Sequence, residues 1–132
     1  MIIPTGALVA VVDGEKLAMF HNTGHETIVL SPAPTPKVEP AISGSGGHQS
    51  SAANPDNETQ AEDGFASGVA AMLNRQATAG AFEALVVIAA PRALGELRKH
   101  WGKALRARLT AEIAKELTGR TPEQIAAAIS HA

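Results

Sequence analysis

Two runs of the chain leave little freedom in what it can fold into. Ala7 to Val12 (ALVAVV) and Leu85 to Ala90 (LVVIAA) are continuously apolar and rich in β-branched residues. A strand with one wet face alternates apolar and polar residues; a strand with no polar positions must be covered on both faces. Two such strands require a central sheet with helices or loops packed above and below it. At 132 residues the chain is long enough to bury a core of that kind and is expected to form one domain over 1–132.

The segments around these strands supply the cover. Asp13-Gly14 after the first run is a hairpin signal of the type I′ kind, whose central residues take positive φ. Lys16 to His21 is expected to return as an antiparallel partner with Leu17 and Met19 on one face. A second turn at Asn22-Thr23-Gly24 leads to a third short strand at Thr27 to Leu30. Between Pro32 and about Ala61 neither period is visible. The prolines at 32, 34, 36 and 40 favour an extended path, and the Gly- and Ser-rich run after them reads as a long flexible loop over about 32–61.

Periodic structure resumes at Glu62. Phe65, Val69, Met72 and Leu73 recur at helical spacing, Glu62 and Asp63 are expected in the first turn, and Gly80 is a stop. After the second buried strand, Ala93 to His100 reads as a helix with Leu94, Leu97 and Trp101 on one face, broken at Gly102. Arg108 to Ala114 stays open between strand and helix, because alternation of Leu109, Ala111 and Ile113 competes with helix-favouring composition. Thr121, Pro122 and Gln124 form a capping box for a last helix that buries Ile125 and Ile129. Strands alternating with helices after an initial meander make this an α/β chain with a mixed sheet flanked by helices.

Composition excludes several chemistries. The chain has no cysteine, so disulfides, thiolate nucleophiles and cysteine zinc sites are ruled out. With three Phe, one Trp and no Tyr there is no aromatic platform for stacking single-stranded bases. The net charge of −2 gives no global basic footprint, and DNA is not an expected partner. No apolar run approaches the roughly 20 residues that span a bilayer. Without a secretion signal the expected compartment is the cytoplasm.

Three local features remain as candidate sites. Gly44 to Gln49 (GSGGHQ) lacks the Lys-Ser/Thr of a phosphate-binding loop and does not join a strand directly to a helix, so it fails both nucleotide-loop patterns. A flexible spacer is the plain alternative. Ala90-Pro91-Arg92 joins the carboxyl end of a strand to a helix N-terminus, a place where an anion can sit with help from Arg92; a simple strand-to-helix turn explains the same residues. Finally, Arg92, Arg98, Lys99, Lys103, Arg106 and Arg108 fall within seventeen residues that hold a single acid, Glu96. If they share one side they meet phosphates or an acidic partner, and a solvated helix face is the competing reading. His21 and His25 straddle a turn, and Ser50 and Ser51 near His48 have no orienting acid. No metal site, cofactor or nucleophilic triad is therefore expected.

Taken together, VVDGEKLAMFHN, SGSGGHQSSAANPD, FASGVAAMLNRQ, IAAPRALGELRKH and LTAEIAKELTG resemble the bacterial host attachment protein family, proteins required for attachment to host cells. That family is similar to the middle, peptidyl-tRNA-hydrolysing domain of archaeal and eukaryotic peptide chain release factors. The resemblance covers nearly the whole chain. It implies a ribonuclease-H-like α/β fold of about five strands, with a strand at Arg108 to Ala114 and a long loop before the first long helix.

In release factors that loop carries Gly-Gly-Gln at its tip. Here Gly46 and Gly47 are separated from Gln49 by His48, which displaces the glutamine by one residue. The chain is expected to be a release-factor-like domain standing alone, without the codon-reading and partner-binding domains of a termination factor. The resemblance thus implies a release-factor-like domain that binds ribosome, RNA or a protein partner, with any attachment role indirect. Arg92, Arg98, Lys99, Lys103, Arg106, Arg108 and His48 are its candidate binding residues. The alternative is an ester hydrolase of peptidyl-tRNA type acting through Gly46, Gly47 and Gln49, and the expectation leans away from an enzyme.

Overall fold

The computed structural model describes residues 1–39 and 57–132. Both apolar runs are strands at the centre of a five-stranded mixed sheet of order β3-β2-β1-β4-β5. β1 (Leu8–Val12) and β4 (Leu85–Ala89) lie side by side in parallel, Leu8 opposite Leu85 and Val12 opposite Ala89. All five residues of β4 are buried, as its lack of polar positions demands. β2 (Leu17–Asn22) pairs antiparallel with β1, and β3 (Leu30–Pro32) antiparallel with β2. β5 (Leu109–Ala114) runs parallel to β4 at the other edge, so the open segment at Arg108 to Ala114 is a strand from Leu109 onward.

Helices cover the two faces unequally. On one face, α1 (Asn57–Thr78), α2 (Pro91–Arg98) and α3 (Lys103–Arg108) bury Val69, Leu73, Leu94, Leu97, Trp101 and Leu105 against Ala10, Val12, Met19 and Val87. On the other, α4 (Pro122–Ser130) seats Ile125 and Ile129 on Val9, Val11, Val86, Ile88 and Ile113. Alternate residues of β1 and β4 thus enter two separate cores, the period-2 geometry of a strand buried on both sides.

The punctuation behaves as its chemistry dictates. Thr121 caps α4 in a capping box, its hydroxyl accepting from Gln124 N while the Gln124 side chain accepts from Thr121 N. Gly80, at φ +75°, ends α1 in a Schellman arrangement: Ala81 N donates to Gln76 O at 2.9 Å and Gly80 N to Ala77 O at 3.1 Å. Gly68 on α1 is required by proximity. A Cβ there would lie 2.5 Å from Glu39 O and 3.0 Å from Val38, so the chain leaving β3 rests directly on the helix.

Four local expectations are corrected. The β1–β2 turn is not of type I′, since neither Asp13 nor Gly14 has positive φ. The Asp13 carboxylate instead accepts from Glu15 N at 2.7 Å and Lys16 N at 2.6 Å, shaping the turn through its side chain. The third strand begins at Leu30, three residues beyond the expected Thr27. Buried Asn22 causes the shift: its Oδ1 accepts from Gly24 N and Val29 N, and its Nδ2 donates to Ile3 O and Pro4 O. Residues 23–29 are thereby drawn into a loop around one side chain. α1 starts at Asn57, upstream of Glu62, which places Glu62 and Asp63 beyond the first turn and makes part of the expected loop helical. The described part of that loop is also seated on the fold, with Ala33 and Val38 packed against the core.

Candidate functional site

Because β1, β4 and β5 are parallel, their carboxyl ends share one edge of the sheet. Asp13 follows β1, Ala90 follows β4 and Glu116 follows β5, while α1 brings Ala61, Glu62 and Asp63 to the same place. Together with Glu15, Arg92 and Glu96 they line an open crevice of about 510 Å³. This is the position where open α/β sheets bind ligands, beyond the strand ends where the chain turns in opposite directions.

The lining settles the charge of the crevice. Six carboxylates face it, from Asp13, Glu15, Glu62, Asp63, Glu96 and Glu116, against the single guanidinium of Arg92. That guanidinium is itself engaged, Nη2 lying 3.1 Å from Asp63 Oδ1 and Nε 3.7 Å from Glu62 Oε1. The strand-to-helix junction therefore exists where the sequence places it, but the neighbouring acids make it unfavourable for an anion. Among the described residues no group of three or more His, Asp or Glu side chains is arranged to hold a metal ion.

One wall of the crevice is tied by Asp13. Its Oδ2 accepts from Thr118 Oγ1 at 2.8 Å, joining the β1–β2 turn to the segment after β5 across 105 residues. Burial alone pushes this carboxyl up. The hydrogen bonds from Glu15 N, Thr118 and Lys16 N, with the Lys16 charge, outweigh it and hold the group below its ordinary value of 3.8. Glu96 is also held below its ordinary range. The Lys99 hydrogen bond is the largest cause, burial opposes it, and His100 adds to the lowering.

The six clustered cations do not form one patch. Arg92 belongs to the crevice. Arg98, at the end of α2, pairs with Glu112 of β5 (Nε to Oε1, 2.9 Å), and Lys99 pairs with Glu96 (Nζ to Oε1, 3.0 Å). Lys103, Arg106 and Arg108 sit on α3 and make no ion pair with any described residue. Lys103 and Arg106 are exposed; Arg108 is half-buried, with its guanidinium 3.5 Å from Ala104 O. α3 runs into β5 at the end where Leu109 meets Leu85, so it lies toward the amino ends of the parallel strands, away from the crevice mouth.

The basic helix is fixed from three sides. Leu105 is fully buried beneath it. Asn74 of α1 accepts from Gly102 N at 2.8 Å and donates to His100 O at 2.8 Å, clamping the α2–α3 turn. Trp101 is buried, and its Nε1 donates to Glu112 Oε2 at 2.9 Å. Asn74, Glu112 and Thr118 were not among the residues singled out from the sequence. Each acts on a residue far along the chain and carries no local signature. Gly46, Gly47, His48 and Gln49 lie outside the described residues.

The chain is matched over residues 6–129 by the family described as bacterial archaeo-eukaryotic release factor family 12, and it belongs to that family. The release-factor resemblance of the sequence is thus borne out, and the mixed five-stranded sheet with its four helices is an α/β fold in keeping with it. No curated protein matches the chain significantly. Among the described residues no helix is long and apolar enough to cross a membrane.

Proposed function

We propose that this chain is a cytoplasmic release-factor-like domain that binds RNA, with the ribosome as its natural source, through the surface of α3. The observation that carries this reading is that Lys103 and Arg106 are exposed on one helix and have no acidic partner among the described residues. Residues three apart on a helix share a face, so the two charges act together. Arg108 lies on the same helix but is half-buried and two residues from Arg106, off the shared face, while Arg98 and Lys99 are each engaged by a carboxylate. Arg92 falls outside this surface. An influence on host attachment, as the sequence resemblance suggests, follows indirectly through the bound RNA or ribosome.

The test is co-sedimentation with ribosomes at low salt. Wild-type protein is expected in the pellet, and K103E/R106E in the supernatant, with both showing the same thermal melting. Absence of wild-type protein from ribosomes and from purified RNA at low salt would overturn the proposal.

A further inference from the structure

The geometry points to a more specific ligand for the α3 surface: the phosphate backbone of double-helical RNA, held without contact to bases. This rests on the RNA-binding reading above and narrows it. Single-stranded RNA is gripped largely by stacking unstacked bases on aromatic rings, which adds to the attraction of its phosphates. Among the described residues no Phe or Trp is exposed beside α3, and the exposed ring of His100 is turned to Glu96, its Nε2 3.3 Å from Glu96 Oε2. Trp101, the aromatic residue between α2 and α3, is 6% exposed, with its face in the core and its N–H held by Glu112. Phe20 and Phe82 are buried, and Phe65 packs half-buried against the core.

The groups the surface does present are point charges on long side chains. Lys103 and Arg106 project from a helix whose backbone is anchored by Leu105 below and Asn74 beside its first turn. Short polar side chains that read base edges, such as Asn or Gln, are missing from Lys103–Arg108 (KALRAR). What remains is attraction to phosphates, and it favours the ligand with the highest density of them. A duplex releases more counterions per phosphate neutralised than a single strand, with salt slopes of about −0.9 against about −0.7 for each. A duplex also costs nothing in unstacking.

The experiment titrates wild-type protein into two labelled RNAs, a 20-base-pair duplex and a 20-nucleotide unstructured strand, across a salt series. The expected result is duplex binding about threefold or more tighter than single-strand binding at low salt, indifferent to the duplex sequence. K103A/R106A is expected to flatten the duplex salt slope by roughly 2, one unit for each cation removed. Both positions are exposed, and an unchanged thermal melt confirms that the variant is folded. Equal or tighter binding to the single strand would overturn the duplex inference while leaving RNA binding standing. A change of duplex sequence that alters affinity tenfold would also overturn it. Failure to bind either RNA would remove both readings together.

Discussion

The crevice at the strand ends and the surface of α3 contain the same kinds of charged residue and differ in how those residues are paired. In the crevice, acids outnumber the cation six to one, and Arg92 is neutralised by Glu62 and Asp63. On α3, Lys103 and Arg106 meet no acid among the described residues. A run of basic residues in sequence therefore says little about a basic surface. What matters is which acids come to lie against each cation: the fold brings Glu62 and Asp63 to Arg92 and Glu112 to Arg98, Glu96 of the same run holds Lys99, and among the described residues none pairs with Lys103 or Arg106.

The largest effect is expected from removing what holds the basic side in place. Leu105 is fully buried under α3, and Leu105→Ala would leave a cavity there at a cost of about 2–5 kcal/mol. Urea unfolding should show the midpoint lowered by that cost divided by the m-value, and, if α3 is the RNA surface proposed above, RNA retention weaker than that of the wild type. Retention unchanged in a destabilised but folded variant would mean that the RNA surface lies elsewhere.

The legibility of these features in the sequence follows the range of the forces that make them. β1, β4, the Schellman end of α1 at Gly80 and the capping box at Thr121 depend on neighbours a few residues away, and all were readable. β3 was misplaced because the Asn22 side chain, through two backbone N–H groups, decides where pairing resumes. The turn at Asp13 was assigned the wrong type because a carboxylate does there what positive φ would otherwise do. β5 stayed open because, as an edge strand, it has only Ile113 buried, and alternation alone was too weak a signal. In the site, the cations were visible and their partners were not: Asp63 lies 29 residues from Arg92, and Glu112 lies 14 from Arg98.

The acidic side can be loosened at Asp13. Asp13→Ala removes the link to Thr118 and the acceptor for Glu15 N and Lys16 N, with an expected loss of about 1–3 kcal/mol. The wild-type contribution has a definite pH dependence. Its carboxyl is held below 3.8 in the folded state, so the unfolded chain takes up the proton first as pH falls. The stabilisation is whole above the unfolded value and is lost as pH drops through the folded one, below about pH 4. In acid titrations followed by circular dichroism, the stability gap between Asp13→Ala and wild type should narrow toward the low end. A stability difference that stayed constant from neutral pH to below the folded value would show that the carboxylate charge is irrelevant to the tie.

Glu112 is where the two patterns of pairing meet, because it neutralises Arg98 at the margin of the basic surface. Glu112→Gln retains an acceptor for Trp101 Nε1 but removes the charge opposite Arg98, costing about 0.5–1.5 kcal/mol. RNA affinity should rise a few-fold at low salt, since a repelling charge is gone and a cation is freed. Unchanged affinity would confine the surface to α3 itself.

The smallest effect is expected at Arg92, and it tests the comparison most directly. Its side chain is 58% exposed and its two ion pairs are at the surface, so Arg92→Ala should change stability by less than about 1 kcal/mol. If charge alone determined binding, losing this cation would weaken RNA affinity as much as losing Lys103 does. Pairing predicts otherwise: Arg92 is already neutralised, and the acids around it repel phosphate. Affinity and salt slope should therefore match wild type within error while Lys103→Ala lowers both. Equal losses in the two variants would mean that the ion pairs of the crevice open on binding and that RNA spans both ends of the sheet.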